Sequence, residues 1–143
     1  MTILLLESIH PAAHDLLASY DQVVLAPTPT AGEELARDQQ TVAILTRGRG
    51  RITAALIHGL PHLRVVARCG VGLDNIDLDA AHARGIRVVY APGSTTSTLA
   101  EHTLMLMLAA ARRLHTLASA VHAGRWAERN QYLGAELRGK TLG

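Results

Sequence analysis

A doubly wound α/β fold, with about five parallel strands and a long helical arm behind them, is what this 143-residue sequence predicts. Three observations lead there. Short runs of β-branched and aliphatic residues recur along the first two thirds of the chain. Helix-like stretches of about ten residues separate them, the alternation produced when parallel strands are joined by crossover helices. At Ala91-Pro92-Gly93-Ser94-Thr95-Thr96 small and turn-forming residues mark a hinge or boundary, and the pattern beyond it is helical. Residues 1–93 are therefore assigned to one domain, and 94–143 to a hinge helix and arm.

The first strand is expected at Ile3–Leu6. Pro11 suits the first position of a helix, where its missing N–H costs nothing, and Ala12–Ser19 completes that helix. Val23–Leu25 reads as the second strand. Thr30 and Glu33 have capping-box spacing for a helix running to about Gln39, and Val42–Leu45 is the third strand. After the Thr46-Arg47-Gly48-Arg49-Gly50 loop, Thr53–His58 reads as a short helix and Leu63–Arg68 as a fourth strand. Leu78–Arg84 is a helix closed by Gly85, which can take the left-handed conformation such an end requires, and Ile86–Tyr90 is the fifth strand. Thr98 and Glu101 repeat the capping-box spacing before Leu99–Ala111, which is apolar on nearly every side. That helix is expected to be buried against more than one neighbour. Leu114–Ala123 follows as an amphipathic helix ending at Gly124, and an irregular arm from Arg125-Trp126 runs to Leu137.

Composition removes several functional classes. Hydrophobic residues at 48% against 18% charged residues predict a globular chain rather than a disordered one. A formal net charge of +2 gives no field to attract a polyanion, and the few aromatic rings offer no stacking platform, so nucleic acid is not an expected partner. The most apolar run, Leu104–Ala111, is too short to span a bilayer. Because the start lacks a basic region and a cleavage site, a cytoplasmic location is expected. His10 with His14, and His58 with His62, stand four apart, but Pro11 and Pro61 interrupt the intervals and no metal site is read there. The lone Cys69 reads as a small buried thiol.

Taken together, Cys69-Gly70-Val71-Gly72-Leu73-Asp74-Asn75-Ile76-Asp77, Gly85-Ile86-Arg87-Val88, Pro92-Gly93 and Leu99-Ala100-Glu101 resemble the D-isomer-specific 2-hydroxyacid dehydrogenase family, with phosphoglycerate dehydrogenase-like members among the similar ones. The tail Gly124-Arg125-Trp126, then Glu136-Leu137-Arg138-Gly139-Lys140-Thr141-Leu142-Gly143, is similar to the stretch that leads in that family into a nucleotide-binding domain. The resemblance covers residues 40–143 by motif. It implies a flavodoxin-like substrate domain at the front, with NAD(H) or NADP(H) as cofactor and a small 2-hydroxy or 2-keto acid as substrate of a longer parent enzyme.

No G-x-G-x-x-G occurs in the sequence: Thr53 and Asn75 stand where a third glycine would follow Gly48-Arg49-Gly50 and Gly70-Val71-Gly72. The family's catalytic groups also map beyond this stretch, so this chain is expected to bind no cofactor tightly and to turn nothing over alone. What the resemblance places in this sequence is a cradle for the substrate carboxylate, formed by backbone N–H groups of Gly70, Val71 and Gly72. Glycines let the main chain approach an anion closely. The triplet by itself is also the ordinary tight turn between a strand and a helix. Arg47, after the third strand, maps near a basic residue that holds the phosphate end of the substrate in phosphoglycerate-type members; the other reading is a solvated loop arginine. Arg49 and Arg51 read as surface, and Glu101 as a cap or structural acceptor. Tyr90 departs from the Asn that many members carry before the hinge. The apolar stretch Leu99 to Trp126 implies a homodimer, and a stand-alone binding module of the same fold is the alternative function.

Overall fold

The computed structural model describes residues 1–30 and 40–143, so the helix expected from Thr30 to Gln39 lies outside the described residues beyond its first position. Five strands form one sheet: β1 (Thr2–Leu5), β2 (Gln22–Leu25), β3 (Thr41–Thr46), β4 (Val65–Arg68) and β5 (Arg87–Tyr90). They pair in parallel in the order β2-β1-β3-β4-β5. The expected doubly wound sheet is therefore present. Its order changes direction between β1 and β3, the switch point beside which ligands of open α/β sheets collect.

Parallel pairing demands a crossover between strands, and the described crossovers are helical: α1 (Pro11–Ala18), α2 (Ala54–Gly59) and α3 (Leu78–Ala83). Pro11 opens α1 as expected, and the His10 ring accepts the Ala12 N–H at 3.2 Å. Thr53 is the cap of α2 rather than its first residue, its hydroxyl accepting the Leu56 N–H at 3.2 Å. Asp77 caps α3 through the Ala80 N–H at 2.9 Å, and Gly85 follows the helix at φ +63°. Alternation within the strands sends Leu4, Ile44, Val66 and Val88 to one face. There they pack with Ile52, Leu56, Ile57, Leu60, Ile76 and Ala81 in the core.

Compactness divides the chain into Met1–Ser94 and Thr95–Gly143. The second unit contains α4 (Thr96–Ala111), α5 (Leu114–His122) and a 3-10 turn at Trp126–Gln131, where the sequence reading expected irregular chain. α4 and α5 bend by 64° across Arg112-Arg113, with Arg113 in the left-handed conformation at φ +51°. Two expectations about α4 are corrected. The helix begins at Thr96, and no side chain caps it, so Thr98 and Glu101 lie inside it with cap spacing but no cap function. None of its residues is buried: Leu99 is 59% exposed, Leu104 55% and Leu108 52%. The helix is apolar on nearly every side without being buried. No single described helix is long and apolar enough to cross a membrane.

Candidate functional site

Three chain segments leave the sheet side by side at its carboxyl edge, after β1, β3 and β4. The first delivers Glu7, one residue past the buried Leu6. Its Oε1 accepts four consecutive backbone N–H groups: Arg47 at 3.1 Å, Gly48 at 3.0 Å, Arg49 at 2.8 Å and Gly50 at 2.9 Å. The buried Thr46 hydroxyl also donates to it at 3.0 Å. Burial alone would raise the Glu7 pKa, but the N–H groups of Gly50 and Arg49, the Thr46 hydroxyl and the Arg47 N–H outweigh it and lower the value from 4.5 to about 2. The loop after β3 therefore forms an anion nest, and the chain's own carboxylate fills it. Beside it opens a cleft of about 590 Å³ at the β1/β3 switch point, lined by Ser8, Ala26, Pro29 and Arg47 among others.

Arg47 stands exposed where β3 ends, and its Nη1 donates to Ser8 O at 3.1 Å. The neighbouring strand ends on Arg68, in register with Thr46. The Arg68 guanidinium lies between the two glycine loops. A Cβ on Gly48 would stand 2.9 Å from its Nη2, and one on Gly70 would stand 2.6 Å from its Nη1. Nη1 donates to Cys69 O at 3.1 Å, while Nε is buried without a partner among the described residues. Asn75 closes the arrangement, its Nδ2 donating to Gly50 O at 2.6 Å and to the Thr46 hydroxyl oxygen at 3.2 Å. Two loops separated in sequence are thus tied to each other and to one cation.

The structure places the sequence-predicted residues on this edge with one refinement. The Gly70 N–H turns inward to Arg68 O at 2.8 Å, and Gly70 O accepts the Ala91 N–H at 3.0 Å. Gly70 is consequently spent on the turn, whereas Val71 and Gly72 are both exposed. Cys69 is exposed, which corrects the expected buried thiol: it lies just past β4, where the chain has left the sheet layer. Sequence reading missed Glu7, Arg68 and Asn75. Arg68 left a trace as a charged residue ending a strand next to the glycine turn, and Asn75 stood in the motif after that turn without a role assigned to it.

The Gly70-Val71-Gly72 turn does not open directly onto a helix. A pyrophosphate binds where a glycine turn opens directly onto a free helix N-terminus. After Gly70-Val71-Gly72 the chain runs through Leu73–Asp77 before α3 starts, and the Asp77 carboxylate already takes a donor at that helix end.

An open parallel sheet of this order, with helical crossovers, defines a flavodoxin-like doubly wound α/β fold. More narrowly, the chain belongs to the D-isomer-specific 2-hydroxyacid dehydrogenase family, because residues 3–137 match that family's catalytic domain. It is 42% identical over 144 residues to D-3-phosphoglycerate dehydrogenase of Archaeoglobus fulgidus, covering 100% of this chain and 27% of the relative. It is 36% identical over 141 residues to D-3-phosphoglycerate dehydrogenase of Mycobacterium tuberculosis, covering 99% and 26%. The chain thus spans about a quarter of the length of these relatives. Among solved structures it is similar to an NADPH-dependent glyoxylate/hydroxypyruvate reductase from Sinorhizobium meliloti in complex with NADP and malonate. The TM-score there is 0.83 at 28% identity, over 98% of this chain and 44% of that one.

Proposed function

We propose that residues 1–93 are the substrate domain of an NAD(P)-dependent oxidoreductase acting on a small 2-hydroxy or 2-keto acid, and that residues 94–143 lead toward the part that binds the nucleotide. The substrate's carboxylate sits on the N–H groups of Val71 and Gly72, in the turn shaped by Gly70. Arg47 and Arg68 supply the positive charge. The observation that carries this reading is the Arg68 guanidinium lying between Gly48 and Gly70, so that the two glycine loops converge on one cation. Backbone N–H groups orient an anion, and guanidinium groups add charge and planar, two-pronged hydrogen bonding.

Hydroxypyruvate and glyoxylate, with NADH or NADPH, are the substrates to test on the whole gene product. Turnover is expected, with Arg68→Met raising KM about tenfold, as loss of a charge-assisted contact does, and changing kcat less. No turnover with any 2-keto acid, or an unchanged KM in Arg68→Met, would refute the assignment. The 143-residue chain alone is expected to leave NADH unoxidised above the blank. A second reading draws on the exposed apolar side chains of α4: the stretch Leu99 to Trp126 serves as a homodimer surface.

A further inference from the structure

We infer that Glu7 is a positioning residue for the anion site: its carboxylate fixes the Arg47–Gly50 loop from inside and thereby sets where the Arg47 and Arg68 guanidinium groups can meet a substrate. The inference rests on the substrate-site reading above and goes beyond it by assigning a role to a residue of the segment after β1, which supplies none of the proposed ligand contacts.

Five donors converge on Glu7 Oε1, all from residues 46–50 and none from the neighbourhood of Glu7 in sequence. With its N–H groups so engaged, this loop has no main-chain donor left for a substrate anion. Its contribution passes instead through the Arg47 side chain. Arg47 is held by consecutive residues of one segment, its backbone N–H by Glu7 and its side-chain Nη1 by Ser8 O. The same anchoring keeps Gly48 at φ +138° beside Arg68 Nη2, which limits how far that guanidinium can swing toward β3. From Glu7 the network continues through the Thr46 hydroxyl to Asn75 Nδ2, and so reaches the segment that follows the Gly70 turn. One carboxylate therefore holds both loops of the site in register without touching the ligand.

The test is a malonate titration of the ¹⁵N-labelled 143-residue chain, followed through its amide and arginine side-chain N–H resonances. In the wild-type chain malonate is expected to shift Val71, Gly72 and the Arg47 and Arg68 side chains. Glu7→Gln is expected to move the amides of Arg47–Gly50, leave core amides such as Ile57 and Val66 in place, and weaken malonate binding about tenfold, while Glu7→Asp stays within about threefold of wild type. Unchanged malonate affinity in Glu7→Gln with displaced loop amides would make Glu7 a residue of the fold alone and overturn the inference, leaving the substrate site standing. If the wild-type chain shows no shift at Val71 and Gly72, the substrate-site reading itself fails, and the positioning role falls with it. Should Glu7→Gln lose its core resonances, Thr46→Val carries the same test. It removes the hydroxyl link between Glu7 and Asn75 while keeping the buried shape, and is expected to weaken malonate about threefold; no change would overturn the inference.

Discussion

Glu7 stays ionised in the folded chain down to about pH 2, whereas the same carboxyl protonates near 4.5 when unconstrained. A lowered folded pKa means that the stabilisation is complete above 4.5 and is lost as pH falls from 4.5 toward 2. Urea unfolding at pH 5 and pH 3 should therefore show a smaller acid-induced loss in Glu7→Gln than in the wild-type chain, and equal losses would contradict the assignment. Glycines on the same edge separate fold from site. A Cβ at Gly50 would stand 2.6 Å from Leu6 Cβ and 3.1 Å from Pro29 O. Leu6 is 1% exposed and cannot retreat, so Gly50→Ala is expected to cost about 1–3 kcal/mol, read as a lower urea midpoint. Gly70→Ala instead meets only the mobile end of Arg68. Its stability should change by less than about 1 kcal/mol, as at a site where the neighbour can give way, while malonate binding weakens. The Glu7 contacts were illegible in the sequence because each joins residues 39 to 43 positions apart, a separation that no local spacing rule addresses.

The regular elements of the sheet unit were legible because local chemistry and tertiary role agree there. Pro11 starts α1, Gly85 terminates α3, and the β-branched run Val65–Val66 lies in β4. The boundaries slipped where a polar residue serves from outside the helix, as Thr53 does, or where cap spacing occurs by coincidence within a helix, as at Thr98 and Glu101. A tie between elements was not foreseen at all. Arg84, just past α3, donates its guanidinium to the carbonyls of Ile57, Leu60 and Pro61, closing the carboxyl end of α2. Ile57 O also accepts the Leu60 N–H at 3.4 Å and Leu60 O the Leu63 N–H at 3.1 Å, so Arg84→Met removes the charged donor shared by all three carbonyls and leaves two of them only a backbone partner. The expected cost is about 2 kcal/mol, in the range for hydrogen bonds to a charged group, measured as a fall in the urea midpoint with an unchanged slope. A change under about 0.5 kcal/mol would mean that water replaces the guanidinium without loss.

For the molecule as a whole, the two compact units differ in what their apolar residues do. Leu4, Ile44, Leu56 and Val66 are sealed inside the sheet unit, whereas α4 presents Leu99, Leu104, Met105, Leu106 and Leu108 more than half exposed. An all-round apolar helix is ordinarily buried, and so much contiguous apolar surface is rarely left in water. Its pattern was legible as a demand for neighbours, but their identity was not, because a sequence specifies the need for burial without naming the partner. If α4 and α5 supply a homodimer surface, two copies would cover the same patch about a two-fold axis, since such an interface is self-complementary. The 143-residue chain should then scatter light at about micromolar concentration with twice the mass of its 15.3 kDa monomer. Charges placed in the stripe by Leu104→Lys and Leu108→Lys should return it to a monomer. The urea midpoint of the Met1–Ser94 unit should stay within about 0.5 kcal/mol of equivalent stability, as for surface changes distant from its core. A wild-type chain that is monomeric under these conditions would count against the dimer and leave the exposed face of α4 to a different partner.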